Sequence, residues 1–127
     1  MNRLAVPLFS VCALLAACAT VPDAPYSVLD GSDWDRTDPY AAPVQISRLD
    51  GMSYLNETKR TIEPGHHRIG FLTTRVVRSN KLRAEKQIEM DVEPCAHYYY
   101  YAKHESKFST AWELKLLRKT EIEACKR

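Results

Sequence analysis

From Lys81 to Glu93 the chain alternates: every odd position is polar, and the even positions read Leu82, Ala84, Lys86, Ile88, Met90 and Val92. A two-residue period of that length puts one row of side chains into a core and the other into water, which describes a β-strand with one buried face. Lys86 alone breaks the apolar row. Its stem is long enough to snorkel past a sheet edge while the ammonium stays wet. A chain built around such a strand needs further strands to cover the apolar row.

The flanking sequence supplies them. Gln45–Leu49 has strand character and runs into the turn pair Asp50-Gly51. Arg60–Glu63 is a short strand closed by Pro64-Gly65, and His66–Arg78 is a long one that turns at Ser79-Asn80 into the alternating segment. Residues 96–104, AHYYYYAKH, form another strand, tyrosine being a good strand former. The last segment, 111–125, is ambiguous. Trp112, Leu114 and Leu116 alternate as in a strand, while the composition favours helix. Read as a strand, it runs antiparallel to the tyrosine strand and sets Cys125 opposite Cys95. A helix packed across the sheet also brings the two cysteines together. The expected fold is all-β, a small antiparallel β-sandwich of immunoglobulin-like type over residues 44–127.

The N-terminal part reads differently. After Met1-Asn2-Arg3, residues 4–15 are almost wholly apolar, too short a run to cross a bilayer as a helix, which needs about 20 residues. A charged start, a short apolar stretch and small residues before a cut site describe a secretory signal peptide, here residues 1–17. Leu15-Ala16-Ala17-Cys18 resembles the lipobox of bacterial lipoproteins, in which the cysteine thiol takes a diacylglycerol as a thioether. That resemblance implies a lipidated Cys18 and an anchor of two or three acyl chains, each buried CH2 contributing about 0.8 kcal/mol. Ala19 rather than aspartate follows, which by resemblance to the enterobacterial sorting pattern implies the outer membrane, with the domain facing the periplasm.

Residues 18–43 are expected to be a lipidated N-terminus followed by a disordered linker. From 19 to 43 they hold four prolines, five aspartates and one basic residue, and a flexible chain of that length reaches roughly 25–30 Å. Asp30, Asp33, Asp35 and Asp38 lack the ligand order of a calcium loop, so they read as solvated linker. From Val44 onward the balance reverses, with 16 basic and 11 acidic residues, enough chain for one small core. Cys12 leaves with the signal peptide and Cys18 carries lipid. Cys95 and Cys125 remain as an even pair in an exported chain, where disulfides persist. Zinc is the competing reading, and the pair lacks CxxC spacing.

Asp50-Gly51, then Ile62, Pro64, Gly65 and His66, within RLDG and IEPGHHRIGF, resemble the PEGA-like modules of bacterial envelope proteins. The similarity covers the first strands of the domain and lies mostly in turn residues. It implies a small β-sandwich on a lipoprotein or surface protein, and no catalytic residues.

Among functional candidates, His66, His67, His97 and His104 invite a metal site. Adjacent strand residues point to opposite faces, and His97 and His104 differ in parity, so no ligand set assembles and no metal or other cofactor is expected. If Ala96 and Ala102 mark the buried face, Tyr98 and Tyr100 are core, and Tyr99 and Tyr101 stand outside beside His97 and Lys103. Such a surface stacks on sugars or docks a protein. Arg75, Arg78, Lys81 and Arg83 cluster around the expected hairpin tip and attract anionic lipid heads, lipopolysaccharide phosphates or acidic glycans. No basic motif interleaved with aromatics points to nucleic acid. Ser106, Ser109 and Thr110 follow His104 only as a small polar loop, so an enzyme is not expected. The sequence is read as a non-catalytic envelope lipoprotein, a structural or adaptor module for another envelope protein. The alternative is a module binding glycan or lipopolysaccharide through the exposed tyrosines and the basic tip.

Overall fold

The computed structural model describes residues 24–53, 56–75, 85–106, 109 and 111–125. The expected signal peptide, the lipobox-like stretch with Cys18, and the expected hairpin tip with Arg78, Ser79, Asn80, Lys81 and Arg83 lie outside the described residues. The described chain forms eight strands: β1 Ser27–Asp30, β2 Ala41–Ala42, β3 Val44–Leu49, β4 Lys59–Ile62, β5 Gly65–Thr73, β6 Lys86–Val92, β7 Ala96–His104 and β8 Trp112–Glu121, followed by one 3-10 turn, Glu123–Cys125. They build a β-sandwich of two sheets.

β7 is the spine of the larger sheet. β8 pairs along one of its edges over the full length from Ala96↔Glu121 to His104↔Trp112, so the ambiguous C-terminal segment is a strand. Its alternating Trp112, Leu114 and Leu116 outweigh a helical composition because a sheet edge and a core are there to receive them. β1 and β2 share the other edge of β7, and β4 lies outside β1. The smaller sheet is β3-β5-β6, antiparallel throughout. The apolar row of the alternating segment is the inner row of β6: Val92 is buried, Ile88 and Met90 are half-buried, and Gln87, Glu89 and Asp91 are exposed. Lys86, the interruption, sets its ammonium 5.9 Å from the Trp112 ring centroid, across the sandwich.

Two expectations require correction. Residues 24–43 are not a disordered linker, because β1 and β2 lie within them and all six of their residues are buried. Pro25, Pro39 and Pro43 stand outside the strands and punctuate them rather than forbidding them. The domain thus begins near Tyr26 and not at Val44. The sandwich is also not purely antiparallel, since β1 runs parallel to β7 with Leu29 opposite Tyr98.

The core comprises Leu29, Val44, Ile46, Ile62, Ile69, Phe71, Val92, Ala96, Tyr98, Ala102 and Trp112. Full burial of a side chain such as Phe71 contributes about 1.5–3 kcal/mol. Tyr100 packs against it with ring centroids 5.3 Å apart. One side of the sandwich is closed by backbone. Gly31 donates to the Thr58 carbonyl at 2.6 Å, Val44 to Gly31 at 3.0 Å and Ile46 to Glu57 at 2.7 Å. A Cβ on Gly31 would stand 2.2 Å from the Val44 carbonyl oxygen, so only glycine admits this approach.

Cys95 and Cys125 form a disulfide with Cα atoms 5.4 Å apart. Cys95 follows Pro94 in the left-handed region, φ 58°, where the chain turns from the smaller sheet into the larger. The Cys95 amide donates to the Tyr26 carbonyl at 3.0 Å, so the disulfide sits where the chain enters its first strand.

Candidate functional site

β7 puts its odd residues on the outer face of the larger sheet and its even residues in the core, as the parity of Ala96 and Ala102 predicts. His97, Tyr99, Tyr101 and Lys103 are accordingly neighbours outside, all of them half-buried. β1 adds Val28 and Asp30 to the same face, since they pair with His97 and Tyr99.

This face is tightly engaged with its own chain. Asp30 Oδ2 lies 2.8 Å from His97 Nε2. Its other oxygen accepts from the Ser32 amide at 2.9 Å and the Ser32 hydroxyl at 2.5 Å. Burial alone would raise the Asp30 pKa, but the Ser32 bonds and His97 outweigh it and hold the carboxyl below its usual range. The His97 and Tyr99 rings stack at 4.1 Å, 4° from parallel, and the Arg118 guanidinium carbon lies 3.9 Å from the Tyr99 centroid. Groups so close must occupy opposite faces of the ring, so Tyr99 is not an open platform for a sugar. Arg118 is held in turn by Asp33 at 2.8 Å.

The aspartates expected in a solvated linker therefore have partners. Asp33 binds Arg118, Asp38 binds Lys103, and Asp35 accepts from the Thr37 amide at 3.0 Å and the Thr37 hydroxyl at 2.6 Å. Residues 31–40 wrap the outer face through these contacts. Arg75, assigned to the basic tip, turns inward: its Nη2 donates to the carbonyls of Pro39 at 3.0 Å and Ala41 at 3.4 Å. It stands with Lys103 near Asp38.

The histidines serve as structural connectors. His104 is buried, with Nδ1 3.2 Å from the Ser109 carbonyl and Nε2 2.7 Å from the Thr73 hydroxyl. A carbonyl only accepts, so Nδ1 carries the proton and the Thr73 hydroxyl donates to Nε2. Burial holds the His104 pKa below its ordinary value. Ser109 meets His104 through its backbone, not its hydroxyl, which is no arrangement for a nucleophile. His67 has the opposite environment. Its Nδ1 faces Asp50 Oδ2 at 2.5 Å and its Nε2 faces the Glu63 carbonyl at 2.6 Å. Both partners accept, so the ring carries both protons. Burial opposes this charge, but Asp50 and Glu63 prevail and raise the His67 pKa. Among the described residues, no group of three histidine, cysteine or carboxylate side chains is placed to hold a metal.

The side of the sandwich opposite the Gly31–Val44 closure is open. β6 and β8 are the outermost strands of their sheets, and among the described residues each pairs on one edge only. Between these edges lie Ile88 and Met90 from β6, Tyr100 from β7 and Leu114 from β8, all half-buried, with the Tyr100 hydroxyl 3.6 Å from Met90 Sδ. Leu116 is 51% exposed beside them. A bulge at Leu117, between the Leu116↔Tyr100 and Arg118↔Tyr99 pairs, shifts the strand at this point. The alternation of Trp112, Leu114 and Leu116 was the available signal for this row. That its last member would lie uncovered follows from strand order, which alternation does not report. No family model, curated protein or solved structure matches the chain, and the reading of these surfaces rests on their own geometry.

Proposed function

We propose that the chain is a lipid-anchored module of the bacterial cell envelope, held at the outer membrane through Cys18 and working without catalysis as an adaptor for another envelope protein. The observation that carries the adaptor reading is the open side of the sandwich. Among the described residues, β6 and β8 each pair on one edge only, and they flank an apolar row ending in exposed Leu116. Free edges offer backbone hydrogen bonds and the row offers apolar contact. An extended segment of a partner, added as a strand, uses both. The outer tyrosine face is a weaker candidate, because Arg118 and His97 already cover Tyr99.

Lipidation and the early start of β1 together support a short tether. Only residues 19–26 separate Cys18 from Ser27, a reach of about 27 Å at full extension. The disulfide end then stands nearest the bilayer, and the open side runs away from it along β6 and β8. Fractionation of the envelope with intact-mass measurement tests the anchor, since a thioether-linked diacylglycerol on Cys18 has a defined mass. Capture of cross-linked partners from intact envelopes tests the adaptor role.

A further inference from the structure

The outer face of the β3-β5-β6 sheet carries a cleft of about 480 Å³. Three cross-strand pairs of β5 and β6 form its rungs: His66 opposite Asp91, Arg68 opposite Glu89, and Gly70 opposite Gln87. Arg48 faces Gly70 from β3. Gly70 is part of the lining, and a Cβ there would stand 2.9 Å from the Arg48 Cβ and 3.0 Å from the Glu85 carboxyl, so a side chain is excluded at this position. A glycine inside a strand weakens it and marks a site of close approach.

We propose that this cleft binds a neutral polyhydroxylated ligand, a saccharide of one or two rings. Three features of its walls select that chemistry. No aliphatic or aromatic side chain lines it, so a hydrocarbon would meet only the stems of polar residues there. Arg48 and Arg68 are balanced by Asp50 and Glu89, so the lining holds no surplus of positive charge to attract a polyanion. The lining holds planar donors (the two guanidinium groups and the Gln87 amide) and planar acceptors (the Asp50 and Glu89 carboxylates), and such forks suit adjacent hydroxyls, each of which donates once and accepts as well.

The side chains of the walls also pair with one another and with their neighbours. Arg68 Nη2 meets Glu89 at 2.8 Å, Arg48 Nε meets Glu85 at 3.2 Å, and His66 Nδ1 meets Asp91 at 2.9 Å. Gln87 Nε2 donates to Glu85 at 2.6 Å. The proposal stands apart from the adaptor reading, since the cleft lies on the outer face of the smaller sheet and not at the open side.

The test is an amide-resolved NMR titration of the full chain in detergent micelles with glucose, the N-acetylglucosamine dimer and sodium sulfate. The proposal predicts saturable shifts at Arg68, Gly70 and the Gln87 side-chain amide with at least one neutral sugar, and a millimolar Kd. Arg68→Ala and Gln87→Ala should each weaken that binding about tenfold or more, the loss of one good hydrogen bond, with thermal unfolding little changed. Absence of saturable shifts with either sugar overturns the proposal. So does a stronger response to sulfate, which would mark an anion site, or shifts confined to residues outside the cleft.

Discussion

The amide of Val44 donates to the carbonyl of Gly31 at 3.0 Å, and this bond joins the edge of one sheet to the other where no side chain intervenes. With Gly31→Thr58 and Ile46→Glu57 it makes one side of the sandwich a backbone seam. Gly31→Ala would drive a methyl group into the Val44 carbonyl, 2.2 Å away, and the seam must part to admit it. A loss of about 1–3 kcal/mol or more is expected in urea unfolding, the range for an overpacked site. A variant as stable as the parent would mean that the seam is not under this constraint.

The disulfide closes a loop across 30 residues and ties the end of β8 to the start of β7. The chain-entropy model assigns such a loop roughly 3.5 kcal/mol. Replacing both cysteines by alanine should lower the unfolding free energy by about that amount, a large fraction of the total for a domain of this size. Because the Cys95 amide also donates to the Tyr26 carbonyl, hydrogen exchange in the double variant should rise first at the entry to β1. Unchanged exchange there would separate the disulfide from the anchoring of that strand.

His67 and His104 give opposite pH dependences. The His67 pKa is raised in the folded chain, so its contribution is full below the unfolded value near 6.5 and is lost as pH rises through the folded value. His67→Gln should therefore cost more stability at pH 5.5 than at pH 8.5 (both chosen around that value). The His104 pKa is depressed, so protonation destabilises the fold as pH drops below about 6.5. His104→Gln should flatten the acid limb of the stability curve. Chemical denaturation at both pH values checks the pair. Equal losses at the two pH values would contradict the assigned charge states.

The sequence made parts of this structure legible and hid others for physical reasons. β6, β7 and β8 were readable because long strands with one wet face print their period in side-chain type, and the Tyr98–Tyr101 run divided by parity. β1 was hidden because four residues carry no measurable period and the prolines around it resemble those of a linker. The partners of the acidic loop were hidden by distance along the chain: Asp33 meets Arg118 and Asp38 meets Lys103 only because β1 and β8 flank β7. Arg75 looked like a tip cation, yet its guanidinium is bound to the carbonyls of Pro39 and Ala41. The polar cleft was signalled by a glycine inside the GHHRIGF strand, but its lining depends on the register of three strands.

The account rests most heavily on the open side of the sandwich as the partner surface, and a paired capture experiment tests it. Intact envelopes carrying the parent chain, Leu116→Asp or Tyr99→Ala would be cross-linked and the protein recovered under denaturing conditions. Leu116 is exposed, so its replacement should change folding stability by no more than about 0.5 kcal/mol. The account predicts a discrete envelope protein cross-linked to the parent and to Tyr99→Ala, and lost from Leu116→Asp. Retention of that partner by Leu116→Asp together with its loss from Tyr99→Ala would place the interface on the outer tyrosine face and contradict the account.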